Sequence, residues 1–487
     1  MAGFNVILLA DTPEHPFWYR GYGAHRLANH IRNNGYSCLV IDFSSALSLD
    51  TWKDICSLAI GDETKVIGLS TTWWPYRNQL KQSKVNLRDD LDLDKKQTVE
   101  QEGLLDAAQQ GTLLNWFNVA KTINPKIKFL LGGPKFEFYL DAPVDNFIVG
   151  FGETQFIDYL EYPNRLWPKV INHDETASAP AWDFKESQTL YTDLDQISSE
   201  EILTFEFSRG CRFKCAFCSY PLIGKKDISS YIKSKDVIYT ELLTNYEQWG
   251  TTQYVVADDT LNDSTQKLEH ILSAVSKLPF KPKFKAYTRL DVIVTHPEHA
   301  MLLKDIGLAN TWIGIDSFHP IASKVIGKGM PAEKRKDMLY KLKDIWGESV
   351  TITAGYIVGL PFEDTDSLYN SAEWLSQKDS PVYSTTFMGL RLNPPNPRLN
   401  FTSRSDMDLN YKDYGYDIPD INKFWEWTKN DQTGINTYMD SEMLASKLNS
   451  MMPARSTLPN MHHSSTVLNN PKNWYFKELI NQLNTAK

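Results

Sequence analysis

Short apolar runs alternate with longer half-apolar stretches along this chain, and the alternation breaks once near the middle. Up to residue 155 the apolar runs are Val6–Ala10, Cys38–Phe43, Val66–Thr71, Ile127–Leu131 and Phe147–Val149. Each is compact and rich in Leu or β-branched residues, the pattern of strands covered on both faces in a parallel sheet. Between the first two, Ala24, Leu27, Ala28 and Ile31 fall at i, i+3, i+4 and i+7, and Gly35 follows as a helix stop. The pattern predicts a doubly wound, Rossmann-like α/β domain over residues 1–160. Residues 77–103 are polar and charged without an apolar period, and read as an insertion on that frame.

A Pro-rich stretch without strand pattern, residues 161–200, reads as a linker. A second β/α series begins at Thr204, with strands expected at Thr204–Ser208, Gln253–Ala257, Phe284–Tyr287, Thr311–Ile315, Thr351–Val358 and Tyr383–Gly389. Helical stretches separate them. Six strands and five intervening helices predict a partial (β/α)6 TIM barrel over residues 201–394, whose functional groups would follow the strand carboxyl ends. Residues 395–487 change character, being rich in Asn, Tyr, Trp and Pro, and are expected to cap the barrel mouth. Their aromatic residues Trp425, Trp427, Tyr438 and Trp474 suit either stacking on a substrate or a core.

With 487 residues, 42% of them hydrophobic, the chain is long enough for large cores and is no disordered polymer. A formal net charge of −9 without a long basic run argues against duplex DNA or an anionic membrane as partner. No apolar run has the length of a signal peptide or a membrane span. The 5 cysteines make no disulfide framework and fit a reducing compartment, so a cytoplasmic setting is expected.

Three of those cysteines lie together in Cys211-Arg-Phe-Lys-Cys215-Ala-Phe-Cys218, directly after the first strand of the second series. A C-x3-C-x2-C run is one thiolate short of a closed zinc site or a fully ligated [4Fe–4S] cluster. Two readings follow. Either a histidine such as His270, His296 or His299 completes a zinc site, or three thiolates hold a cubane cluster with one iron left open.

The triplet, with Phe217 before its last cysteine, resembles the radical S-adenosylmethionine (radical SAM) enzymes. The resemblance implies that Cys211, Cys215 and Cys218 hold a [4Fe–4S] cluster whose open iron binds S-adenosylmethionine. Reductive cleavage then yields a 5′-deoxyadenosyl radical that abstracts hydrogen from a substrate. Further matches are Gly355-Tyr-Ile357-Val-Gly359, which in the family packs on the adenine, and Asp258-Asp259-Thr260, an acidic turn facing ribose or amino group. Arg289 of Thr288-Arg-Leu-Asp291 stands where relatives pair an arginine with the cofactor carboxylate, although a structural Arg–Asp pair reads equally well. Asp316-Ser317 replaces the family's Glu-Ser and receives no specific contact, and Gly327-Lys328-Gly329 reads as a helix-leading loop.

The strand ends of the first domain resemble a cobalamin-binding domain fused to one branch of this superfamily. Ser70, Thr71, Gly132, Gly133, Gly152 and Glu153 are the contacts that this implies. A departure lies in Asp11-Thr-Pro-Glu-His15, where the histidine stands two residues late for a cobalt ligand and the usual glycine is missing. Cys38 and Cys56 fall in a strand and a helix, so auxiliary clusters and a covalent cysteine intermediate are not expected. The reading is a cobalamin-dependent radical SAM methyltransferase. B12-independent radical oxidation, rearrangement or cyclisation stays open beside it, as does a non-catalytic zinc scaffold. The resemblance implies a flavodoxin- or ferredoxin-type electron donor. No catalytic side chain is assigned, and the substrate is open among small molecules, peptides and nucleotides.

Overall fold

A computed structural model describes residues 3–10, 13–14, 17–18, 20–70, 107–133, 142–150, 152–171, 182–219, 227, 229, 231–392, 405–419, 426–431, 433–453, 460–461 and 474–485. The chain divides into two compact units. One comprises Met1–Leu203, Thr244–Thr251 and His463–Lys487, the other Thr204–Leu243 and Thr252–His462. The expected insertion at 77–103, together with Thr71, His15 and Trp425, lies outside the described residues.

The first unit is built on six parallel strands: β1 (Val6–Leu9), β2 (Cys38–Ile41), β3 (Val66–Ser70), β4 (Lys128–Gly132), β5 (Asn146–Ile148) and β6 (Val170–Ile171). Their order is β2-β1-β3-β4-β5-β6. Every residue of β1 and β2 is buried, as the unbroken apolar runs require. Helices α1 (Tyr22–Asn33), α2 (Leu49–Ala59), α3 (Ala107–Ile123) and α4 (Glu153–Glu161) cover the sheet. Ala24, Ala28 and Ile31 of α1 join Val6, Leu8, Val40 and Phe156 in one core, and Gly35 ends the helix at φ 84°. The strand order reverses direction between β1 and β3, which opens a crevice at their carboxyl ends.

The stretch at 161–200, expected to lack strands, contributes β6. Only two residues pair there, Val170 with Phe147 and Ile171 with Ile148, too few to leave a period in the sequence. Glu201, just after this stretch, forms a buried ionic knot with Arg20 and Asp42 from the start of the chain. Arg20 grips Glu201 with two hydrogen bonds (2.7 and 2.8 Å) and Asp42 at 3.0 Å. His25 Nε2 adds a 2.8 Å contact to Asp42.

The second unit carries β7 (Leu203–Phe205), β8 (Gln253–Val256), β9 (Lys283–Thr288), β10 (Leu308–Asp316), β11 (Thr351–Val358) and β12 (Ser384–Gly389). They follow one another in sequential order, and the described registers are parallel. Between them lie α5 (Lys235–Trp249), α6 (Thr265–Val275), α7 (Leu290–Thr295), α8 (His299–Ile306), α9 (Pro320–Val325), α10 (Ala332–Trp346) and α11 (Thr365–Ser376). This is the layout of an open (β/α)6 barrel. Residues alternate between helix-facing and lumen-facing sides. On β11, Ala354, Tyr356 and Val358 are completely buried, whereas Ile357 is only partly so.

The region after the barrel divides differently from the expected cap. Helix α12 (Tyr438–Ser450) packs on β12, where Asn449 bonds both the N–H and the carbonyl of Phe387. Helix α13 (Tyr475–Thr485) belongs to the first unit, where the Tyr475 hydroxyl accepts the Asp42 N–H at 3.1 Å. The Arg20 guanidinium lies 5.8 Å from the Tyr475 ring centre. A buried tyrosine with its polar tip satisfied anchors the helix there.

Candidate metal and cofactor site

The cysteine loop begins where β7 ends. Its entry is fixed by Asp258 at the end of β8, which accepts hydrogen bonds from the N–H groups of Phe207 (2.8 Å) and Ser208 (3.1 Å) and from the Ser208 hydroxyl (2.5 Å). The Lys267 ammonium, also buried, closes the arrangement at 3.0 Å. Asp258 is therefore a brace inside the protein. Expected to face a cofactor, this carboxylate is instead buried and taken up by these bonds. Asp259, one residue on, is the partly open carboxyl of the pair. Burial, and after it the Asp258 charge, push Asp259 up to about 7.

Within the loop, Cys211 is buried, and Cys215 and Cys218 are half-buried. Cys211 Sγ lies 3.5 Å from Thr260 Oγ1, and burial pushes its thiol up. The Cys218 N–H donates to the Cys215 carbonyl at 3.0 Å, which turns the loop tightly. Arg289 stacks over Phe213 with its guanidinium 3.9 Å from the ring centre. It holds Asp291 through Nε (3.0 Å) and Nη2 (2.6 Å) and donates its remaining Nη1 to Cys215 Sγ at 2.8 Å. The structural Arg–Asp pair is thus present, with an added contact to a cysteine of the loop that the sequence did not suggest.

Two further residues missed from sequence stand beside the loop. Lys328 pairs with Asp316 and donates to the Gly314 carbonyl at 2.7 Å, and its ammonium lies 5.9 Å from the Phe217 ring centre. Gly327, at φ 80°, lies against Lys214 and Cys215. The Gly327-Lys328-Gly329 turn therefore packs on the cysteine loop, a contact that no local pattern announces.

Gly355 and Gly359 are filled by the protein's own side chains. A Cβ on Gly355 would meet Trp312 Nε1 at 2.6 Å, and one on Gly359, which sits at φ 97°, would meet Trp427 at 3.0 Å. Ile357 is left as the half-open residue of that motif. Tyr287 on β9 and Met388 on β12 are 47% and 46% exposed, which marks an accessible apolar surface on those strands.

In the first unit, Ser70 and Gly133 are half-buried at the carboxyl ends of β3 and β4, and Gly150 beyond β5 is exposed with φ 82°. Gly132 and Gly152 meet Ile148, where a Cβ would come to 3.2 Å in each case. Glu153 is buried and accepts a 2.8 Å bond from Arg26 Nε. Ser70, Gly132, Gly133 and Gly152 are thus all half-buried along this edge and Gly150 is exposed, while Glu153 is buried.

Among the histidines raised as zinc ligands, His270 Nε2 is 2.9 Å from the Lys233 carbonyl and His299 Nε2 is 2.9 Å from Thr265 Oγ1. Among the described residues, the three cysteine sulfurs are not gathered within 4.8 Å of one another, unlike the atoms of His296, Glu298 and His299. A single zinc ion draws its ligands closer than a four-iron cubane does.

Residues 205–375 match the model of the radical SAM superfamily. Over that stretch the second unit is similar to radical SAM domains. Over 306 residues, 56% of its length, the chain is 22% identical to an uncharacterised methyltransferase of Pyrococcus horikoshii. Over 279 residues, 51% of the chain, it is 22% identical to the anaerobic magnesium-protoporphyrin IX monomethyl ester cyclase of Rubrivivax gelatinosus. The matches span 64% and 49% of those curated relatives. The fold is shared with the radical S-adenosylmethionine methyltransferase TsrM of Kitasatospora setae, solved with cobalamin and a [4Fe-4S] cluster. The TM-score is 0.60 at 13% identity, with 100% of both chains covered. It is also shared with the cobalamin-dependent radical enzyme OxsB with aqua-cobalamin bound, at TM-score 0.51 and 16% identity, covering 85% of this chain and 56% of that one. Among the described residues, no helix is long and apolar enough to cross a membrane.

Proposed function

We propose that this chain is a radical SAM enzyme in which Cys211, Cys215 and Cys218 hold a [4Fe–4S] cluster, and that it methylates an unactivated carbon with cobalamin as methyl carrier. When bound, the cluster supplies the electron that cleaves S-adenosylmethionine to a 5′-deoxyadenosyl radical, and the cobalamin supplies the methyl group. The observation that carries the reading is the Arg289–Cys215 contact inside a three-cysteine loop at the carboxyl end of the first barrel strand. A guanidinium donating to sulfur favours the anionic ligand that iron requires.

The chain's own groups have separate tasks. Arg289 and the Gly327–Gly329 turn orient the cysteine loop, and Asp258 with Lys267 braces its entry. Asp259 offers a carboxyl that titrates near neutrality beside the loop, suited to a hydroxyl or amino group of S-adenosylmethionine. Ile357, Tyr287 and Met388 give an apolar wall that keeps water from a radical. The cobalamin half rests on the small-residue edge of Ser70, Gly133 and Gly150 beside the crevice of the sheet. A flavodoxin or ferredoxin of the same compartment fits as electron donor.

The test is made on anaerobically reconstituted full-length protein given S-adenosylmethionine and a reductant. The expected result is 5′-deoxyadenosine from the wild type, with its formation and the cluster iron lost in Cys215→Ala. Undiminished 5′-deoxyadenosine from that variant sinks the cluster assignment. Failure of the wild type to retain cobalamin sinks the methyl-transfer half alone and leaves a B12-independent radical reaction.

A further inference from the structure

We infer that His296, Glu298 and His299 form a site for one divalent transition-metal ion of the zinc class, separate from the cysteine loop. One ligand atom from each of the three residues lies within 4.8 Å of the others. His296 Nδ1 and Glu298 Oε1 are already 3.3 Å apart, about the ligand–ligand edge of a tetrahedron with bonds of about 2.0–2.2 Å. The remaining edges close by side-chain rotation, because the side chains of His296 and Glu298 are 50% and 53% exposed. His299 is the fixed member, completely buried at the start of α8.

The unpaired atom makes the case. His299 Nε2 is held by Thr265 Oγ1 at 2.9 Å, whereas His299 Nδ1 is buried without a hydrogen-bond partner among the described residues. A buried imidazole nitrogen without a partner is costly for a purely structural histidine. Metal-bound histidines commonly have their second nitrogen tied to an oxygen in this way, which sets the tautomer and aims the lone pair. The two imidazole rings lie 5.3 Å apart at 18°, so His296 must turn its ring edge toward the ion.

The sequence spacing allows that rotation. His296 closes α7, Pro297 follows it, and Glu298 caps α8. All three ligands therefore come from one short corner. Two imidazoles and one carboxylate suit zinc, with a fourth position left for water. An ion there would tie α7, which begins directly after Arg289, to α8.

The experiment uses full-length protein with its cluster loaded, titrated with Zn2+ against a chromophoric chelator, and with Co2+ as spectroscopic reporter. The expected result is one Zn2+ per chain held in competition with the chelator. His296→Ala and Glu298→Gln should each weaken binding about 10-fold or more, and the pair together about 100-fold. Neither exposed substitution threatens the fold. Bound Co2+ should show the d–d bands of nitrogen and oxygen ligands without a thiolate charge-transfer band. No competition by the wild type, equal affinity in the double variant, or a thiolate band overturns the inference. The thiolate band also identifies ions sitting on cysteines, so an unloaded cluster cannot be mistaken for this site.

Discussion

Glu363 is a carboxyl that the fold holds in its acid form, and its replacement by glutamine should change how stability depends on pH. The side chain is completely buried after β11. One oxygen accepts the Ser317 hydroxyl at 2.5 Å, and Oε2 has no hydrogen-bond partner among the described residues. The nearby Lys429 ammonium is committed to Asp431 at 3.0 Å and Thr433 at 2.9 Å. Burial therefore dominates and raises the carboxyl from 4.5 to about 8. Between those values the folded state binds more protons than the unfolded chain, so stability falls as pH rises through that window. The wild type should lose about 3 kcal/mol between about pH 5 and about pH 8 from this group, with little further loss above it. Glu363→Gln keeps an acceptor for Ser317 and removes the titration. Hydrogen exchange of β10 and β11 amides, compared between the two proteins at each pH, cancels the intrinsic pH effect on exchange. The variant should gain protection over wild type as pH rises. Parallel profiles for the two proteins would refute the assignment of a neutral Glu363.

Two other outcomes follow from buried charge. Arg289→Gln removes a charge-assisted bond to Cys215 of about 1.5–3 kcal/mol, so the variant's cluster should be lost faster under chelator challenge, measured by iron and sulfide content. Retention equal to wild type would remove Arg289 from the site. Arg20→Met leaves the buried carboxylates of Asp42 and Glu201 without their counter-ion and should destabilise the first unit by about 3–5 kcal/mol, read as lost hydrogen-exchange protection in β1 and β2.

The parts of this molecule that repeat locally were legible in the sequence. Strands such as Val6–Leu9 and Cys38–Ile41 announce themselves because both faces are covered and every residue is apolar. The cysteine triplet was legible because ligand spacing is itself local. What could not be read depends on contacts between distant segments. Asp258 and Asp259 are chemically identical in sequence, and only the brace to Phe207 and Ser208 tells which one is turned inward. Lys328 becomes part of the cysteine-loop surroundings through Phe217, a residue far from it in the chain, while Asp316 holds its ammonium. The glycines of Gly355-Tyr-Ile-Val-Gly359 suggested a ligand, yet Trp312 and Trp427 already require them.

Tyr475 against Asp42 has a consequence for how this polypeptide is made and cut. The strands at the start of the chain receive α13 only after the whole barrel has been synthesised, so their unit cannot finish folding as it leaves the ribosome. A fragment ending near Leu203 would expose the face that α13 covers. Swapping this unit between relatives therefore means transplanting two separated pieces of sequence together.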